Sequence, residues 1–231
     1  LQFVLKKDLK QPAKTILITS SVSGEGKTFC SINMATIYAL SGKKTILVGL
    51  DLRKPKIFDD FNLTNKKGVV NYLIGEQSLE DIKNTTEIDN LDIITAGPVP
   101  PNPSELLISE RMGTLISTLK EEYDVIILDT PPLGIVTDAQ DLAKYADTNI
   151  FILRLNFTKK GMLQFINAKY KTKEIKNLSF ILNFYKHKSS KGYGYGYGYG
   201  YGYGVYGNNY HENPKKKSFI KKMKQVFKRN V

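Results

Sequence analysis

The sequence predicts an α/β fold, a mostly parallel sheet flanked by helices, and three observations carry that expectation. Short β-branched and aliphatic runs alternate with stretches whose apolar residues recur at helical spacing. Most of the runs are apolar throughout, as strands covered on both faces must be. Glycine-containing turns and aspartates follow the runs, at the carboxyl ends of strands, where such sheets hold their ligands.

In chain order, Leu1 to Leu9 is apolar at positions 1, 3, 4, 5 and 9 and reads as the end of a helix that begins upstream. Thr15–Thr19 is the first buried strand, followed by the turn Ser20–Thr28. A helix over Phe29–Leu40 carries Ile32, Ala35, Ile37, Ala39 and Leu40 at its spacing. Ser41-Gly42 stops it, and Lys43-Lys44 suit the negative end of its dipole. Thr45–Val48 is the second strand and leads into Gly49-Leu50-Asp51-Leu52-Arg53-Lys54-Pro55. Val69–Ile74 is a short amphipathic turn or helix ended by Gly75, and Ser78 opens another. The third strand, Leu91–Ile94, runs into the proline-rich loop 96–103. Ser104 caps one helical stretch carrying Leu106, Leu107, Met112, Leu115, Ile116 and Leu119. Asp124–Asp129 is the clearest buried strand. Ile150–Leu153 and Leu178–Asn183 complete the series, with a helix over Lys159–Lys171 between them.

With 231 residues and 41% apolar content the chain can bury one sizeable core. That core is expected in a domain at 1–185, with a tail at 186–231. The tail holds 11 Lys and Arg against one acid, Glu212, while the remainder holds 23 against 21. A single cysteine, Cys30, excludes a disulfide framework and suits a reducing cytoplasm. No apolar run approaches the roughly 20 residues that cross a bilayer. The chain starts at Leu1 without a methionine, as an excerpt from a longer protein would. His187 and His211 lack metal-ligand spacing.

The chemistry sits in Ser20–Thr28, reading Ser-Ser-Val-Ser-Gly-Glu-Gly-Lys-Thr between a strand and a helix. This is the phosphate-binding loop, with Ser21 where the first glycine of its pattern usually stands. Backbone N–H groups of such a turn point at phosphates, and glycines let the backbone come close. Lys27 then reaches the β- and γ-phosphates of ATP and the Thr28 hydroxyl ligates Mg²⁺. Candidate nucleotide contacts are Ser23, Gly24, Glu25, Gly26, Lys27, Thr28, Phe29 and Asn183. Asp129 ends an apolar strand in the Walker B manner and is the expected holder of Mg²⁺ beside Thr28. Asp51, after the second strand, is either a second carboxylate for Mg²⁺ or for a proton, or a solvated turn residue. Arg53 and Lys54 either touch phosphate or a partner, or lie in a solvated loop.

Three segments together closely resemble the bacterial tyrosine kinases of capsule and exopolysaccharide export. They are Ile46-Leu47-Val48-x-x-Asp51-x-Arg53-Lys54-Pro55, Asn102-Pro103-Ser104-Glu105-Leu106-Leu107 and Leu128-Asp129-Thr130-Pro131-Pro132. The resemblance covers Lys14 to about Asn183. It implies a P-loop NTPase of the MinD/ParA-like type that phosphorylates a C-terminal tyrosine cluster, largely on a neighbouring subunit. It makes Lys27, Asp51 and Asp129 the catalytic set, with Asp51 the base for the tyrosine hydroxyl and Thr28, Asp51 and Asp129 the metal set. Gly49 replaces the first acid of the family's extra motif, and the family's upstream Glu-x-x-Arg-x-x-Arg helix is absent from this sequence.

The tail fits the same reading. Tyr193, Tyr195, Tyr197, Tyr199, Tyr201, Tyr203, Tyr206 and Tyr210 are eight of the chain's 14 tyrosines, mostly alternating with glycine. A glycine-rich strip has little to bury, so it is expected to be flexible and to offer its phenols one at a time. Phosphorylation would add about −1.5 to −2 charge at each. Tyrosine–glycine tracts also stack on bases or self-associate. In 215–231, Phe219, Ile220, Met223, Val226 and Phe227 follow helical spacing among eight basic residues. That suits an amphipathic helix on an anionic membrane surface, or a merely solvated basic terminus.

The expected partners are neighbouring subunits of a homo-oligomer and a membrane-embedded export segment outside this sequence, at the cytoplasmic face of the bacterial plasma membrane. The rival reading is a P-loop ATPase switch of the partitioning or septum-positioning type. Val22 stands where those proteins carry an extra lysine. Nucleic acid as partner would require salt-dependent binding by the tail that survives loss of Lys27.

Overall fold

A computed structural model describes residues 13–134 and 138–185. The expected helix at Leu1–Leu9, the tyrosine cluster and the segment 215–231 lie outside the described residues. The strands are β1 (Lys14–Ser20), β2 (Thr45–Gly49), β3 (Lys83–Thr85), β4 (Leu91–Ile94), β5 (Val125–Asp129), β6 (Thr148–Arg154) and β7 (Leu178–Asn183). The helices are α1 (Lys27–Leu40), α2 (Ile57–Asp60), α3 (Val69–Leu73), α4 (Leu79–Ile82), α5 (Pro103–Ile108), α6 (Glu110–Glu122), α7 (Asp138–Leu142) and α8 (Lys160–Lys171).

The seven strands form one sheet in the order β3-β4-β2-β5-β1-β6-β7. All pairings are parallel except that of β3 with β4. The parallel sheet follows from strands such as Val125-Ile126-Ile127-Leu128, buried on both faces. Alternate residues Leu17, Ile46, Val48, Ile126 and Leu128 meet Met112, Leu115, Ile116 and Leu119 of α6 in the main core. A smaller cluster of Leu133, Ala139, Phe151, Ile166 and Ile175 lies under α8.

The expected elements differ from the observed ones in three places. The helical stretch from Ser104 is two helices, because Ser109 adopts extended backbone (φ −62°, ψ 156°) and turns its hydroxyl to the Leu106 carbonyl at 2.7 Å. Ser104 is not a cap. Asn102 holds that position, Pro103 opens α5, and the Ser104 side chain bonds elsewhere. In α1, Ile32, Ala35 and Ala39 are buried, but Ile37 is 46% exposed. Five residues beyond Ile32, it stands about 140° round the helix from it.

The register sets the site. Asp129 lies opposite Ile18 of β1 and Gly49 of β2, so the carboxyl ends of three adjacent central strands stand side by side. The Leu50 N–H donates to the Asp129 carbonyl at 2.8 Å, and the Thr130 N–H to the Ile18 carbonyl at 3.1 Å. Everything that follows β1, β2 and β5 therefore opens into one crevice.

Candidate functional site

The loop leaving β1 turns at Gly24 and Gly26, whose φ values of 90° and 94° belong to the left-handed region that glycine enters freely. A Cβ on Gly26 would also stand 2.2 Å from Asn183 Nδ2. Gly26 is the N-cap of α1 and no side chain caps the helix. The first-turn N–H groups are thus left for a ligand, with the positive end of a 14-residue helix behind them.

Ser21 is accommodated through Glu25. The Glu25 carboxylate is fully buried and accepts from the Ser21 N–H and hydroxyl, both at 2.6 Å, and from the Val22 N–H at 2.9 Å. It also accepts from the Thr158 hydroxyl, which in turn accepts from the Arg154 N–H at 2.8 Å. The side chain of this expected nucleotide contact is therefore spent inside the loop. Asn183 closes the far side, donating from Nδ2 to the Glu25 carbonyl at 3.0 Å. Arg154 donates to the Gly24 carbonyl at 2.9 Å and stacks on Phe184, 4.0 Å from the ring centroid. Ser23, Gly24 and Phe29 are exposed at the rim.

Across the loop the charged groups converge. Lys27 Nζ lies 2.8 Å from Asp51 Oδ2, with both side chains about nine-tenths buried. Asp51 is thus no solvated turn residue. Its other oxygen accepts the Lys54 N–H at 3.1 Å. Beside this pair, Thr28 Oγ1 donates to Asp129 Oδ2 at 2.9 Å. Ser31 Oγ lies 3.0 Å from Asp129 Oδ1, a contact that sequence reading missed. Its place one helical turn beyond Lys27 puts it on the same face and was the available signal. Burial pushes the Asp129 carboxyl above the usual carboxylate range. Lys27 and the Thr28 and Ser31 hydroxyls act the other way, and the Asp51 charge adds to the rise. Burial, and then Asp129, also push the Cys30 thiol up, so it is a poor nucleophile.

Arg53 turns away from the crevice. Its Nε donates to Asp138 Oδ2 at 3.1 Å and its Nη2 to Ser104 Oγ at 2.8 Å. At Gly49 a Cβ would lie 3.3 Å from both the Ala96 nitrogen and Ile57 Cδ1. A shallow cleft lined by Gly49, Asp51, Pro55, Ile57, Phe58 and Asp129 opens beside the two acids.

The donors fit a magnesium–nucleotide complex. Positive-φ glycines and uncapped amides suit phosphate, and the hard oxygens of Thr28 and Asp129 suit Mg²⁺. Among the described residues no group of three or more His, Cys, Asp and Glu encloses a metal alone. A cation here would draw the rest of its shell from phosphate and water. Also among the described residues, no helix is long and apolar enough to cross a membrane.

The pattern of the AAA domain family matches residues 13–181. Tyrosine-protein kinase YwqD of Bacillus subtilis is 37% identical over 170 residues, covering 74% of this chain and 72% of its own. Tyrosine-protein kinase ptk of Acinetobacter johnsonii is 38% identical over 178 residues, and this chain spans only 24% of its length. The kinase domain of the Escherichia coli tyrosine kinase ETK superposes with a TM-score of 0.73 at 31% identity, covering 81% of this chain and 73% of that one. The fold is that of the P-loop NTPases.

Proposed function

The chain belongs to the AAA domain family and, within it, to the bacterial tyrosine-protein kinases, and from that premise we propose that it transfers the γ-phosphoryl group of ATP to tyrosine hydroxyl groups. Lys27 and the amides of Ser23 to Thr28 hold the phosphates, with Phe29 and Asn183 at the margins of the nucleotide. Thr28, Asp51 and Asp129 would hold Mg²⁺, which when bound neutralises charge developing on the transferred group. Asp51 takes the proton of the attacking phenol, whose ordinary pKa of about 10 leaves it protonated at neutral pH. Lys27 is shared between Asp51 and phosphate, so its move toward phosphate leaves Asp51 Oδ2 open to a hydroxyl donor. The acceptors are Tyr193, Tyr195, Tyr197, Tyr199, Tyr201, Tyr203, Tyr206 and Tyr210 of a neighbouring subunit.

The protein acts at the cytoplasmic face of the plasma membrane, in capsule or exopolysaccharide export. Its partners there are further copies of itself and a membrane-embedded export segment, and 215–231 lies on the anionic surface. The 1–185 part carries the chemistry and the 186–231 part the acceptors.

The observation that carries the reading is the Lys27–Asp51 contact at 2.8 Å beside the Thr28–Asp129 contact at 2.9 Å. Incubation with Mg-ATP should yield phosphotyrosine, mapped to 193–210 by mass spectrometry. Lys27→Met should abolish the signal. Asp51→Asn should cut phosphotransfer about 10²–10⁴-fold while ADP still binds. ATP consumed with those tyrosines never modified would reduce the protein to a nucleotide hydrolase.

A further inference from the structure

We propose that Arg53, Ser104 and Asp138 form a clamp that positions Asp51 for phosphotransfer, acting from outside the nucleotide site. The inference rests on Asp51 being the base of the proposed kinase. The three side chains close a ring: Arg53 Nε to Asp138 Oδ2 at 3.1 Å, Arg53 Nη2 to Ser104 Oγ at 2.8 Å, and Ser104 Oγ to Asp138 Oδ1 at 2.7 Å. Each member comes from a different part of the chain. Arg53 follows Asp51 by two residues, Ser104 stands in the first turn of α5, and Asp138 opens α7 beyond β5 and Asp129.

The Asp138 side chain is 1% exposed, so its charge needs partners, and it finds them in Arg53 and Ser104. The Arg53 fork is committed to these two oxygen atoms and is not a free phosphate ligand. Meanwhile the Asp51 carboxylate itself is held by Lys27 Nζ at 2.8 Å and by the Lys54 N–H at 3.1 Å. The segment 51–54 thus wraps the carboxylate, and Arg53, inside that segment, fastens it to two helices. A planar, two-pronged donor is needed to reach Asp138 and Ser104 together, which a lysine ammonium cannot reproduce. Arg53, Ser104 and Asp138 are positioning residues. They hold the turn that aims Asp51 at an incoming hydroxyl.

The test uses the full chain with Arg53→Lys, Ser104→Ala, Asp138→Asn and the double variant Arg53→Lys/Asp138→Asn. It reads kcat for tyrosine phosphorylation, ADP affinity, thermal stability, and the ¹³C carboxyl signal of Asp51 assigned with Asp51→Asn. Arg53→Lys and Asp138→Asn should each lower kcat, by up to about 10²-fold, with ADP affinity unchanged and the Asp51 signal displaced. The double variant should fall no further than the worse single one, because the members act as a unit. Ser104→Ala, which leaves the ion pair intact, should show a smaller loss in the same direction. The clamp is overturned if ADP affinity falls in step with kcat, since Arg53 would then be touching phosphate. It is equally overturned if the Asp51 signal stays in place, or if the losses add. If the wild-type chain makes no phosphotyrosine, the kinase reading fails by itself, and the Asp51 signal still decides the clamp.

Discussion

At Asp129 a carboxylate is held where its charge is costly. Burial raises its pKa, so the folded chain keeps this proton more tightly than the unfolded chain does. Stability from this group is therefore fully present below the ordinary carboxylate value of about 3.9 and is lost as pH rises through the raised value. Asp129→Asn should remove that loss. Its melting temperature relative to wild type is expected to climb between pH 4 and pH 7, by about 2–4 °C for each kcal/mol relieved, as scanning calorimetry at a series of pH values would record. The same change should cripple phosphotransfer. Lys27, Thr28 and Asp129 were legible because a fixed spacing announces them. Glu25 was not, since only the folded loop decides that its carboxylate turns back onto Ser21. Arg53 was left between ligand and solvent, and the structure gives it a third place, beside a residue 85 positions away.

Among the elements, α1 shows how spacing is read too generously when a helix is judged by its apolar content. Ile32 is 4% exposed and Ile37 46% exposed, although both are isoleucines of one helix. Ile32→Ala should cost about 2–5 kcal/mol, while Ile37→Glu should stay within about 0.5 kcal/mol, measured by urea denaturation. The break between α5 and α6 was illegible for a related reason. The apolar pattern runs on across it, and only the Ser109 backbone and its bond to Leu106 interrupt the helix. The edge strand β3, reading Lys-Asn-Thr, carries no apolar signal and is defined by its antiparallel partner alone.

Over the whole described body, the sheet was legible in its class and direction because its strands are apolar throughout. Its strand order was not, since the same runs fit many orders until the crossovers are laid down. The order places β7 at an edge, where it pairs with β6 alone among the described residues. Phe180, Leu182, Phe184 and Tyr185 are all about half exposed or more there. An apolar strand edge that no other described strand covers invites self-association. Leu182→Lys should leave far-ultraviolet circular dichroism and stability nearly unchanged, within about 0.5 kcal/mol. Light scattering and dye binding should then report less association than in the wild type. Greater association in the lysine variant would contradict this account of the edge.

The close quarters at Gly49 bear on how the crevice is shaped as well as on its chemistry. With the Ala96 nitrogen and the Ile57 methyl both 3.3 Å from where a Cβ would stand, any side chain there needs its neighbours to yield by a few tenths of an ångström. The Ile57 methyl is the end of a flexible side chain and the Ala96 nitrogen is main chain, so the room has to come chiefly from Ile57. Glycine thus lets the end of β2 nestle against the end of β4, and it leaves Asp51 as the acid this strand presents to the crevice.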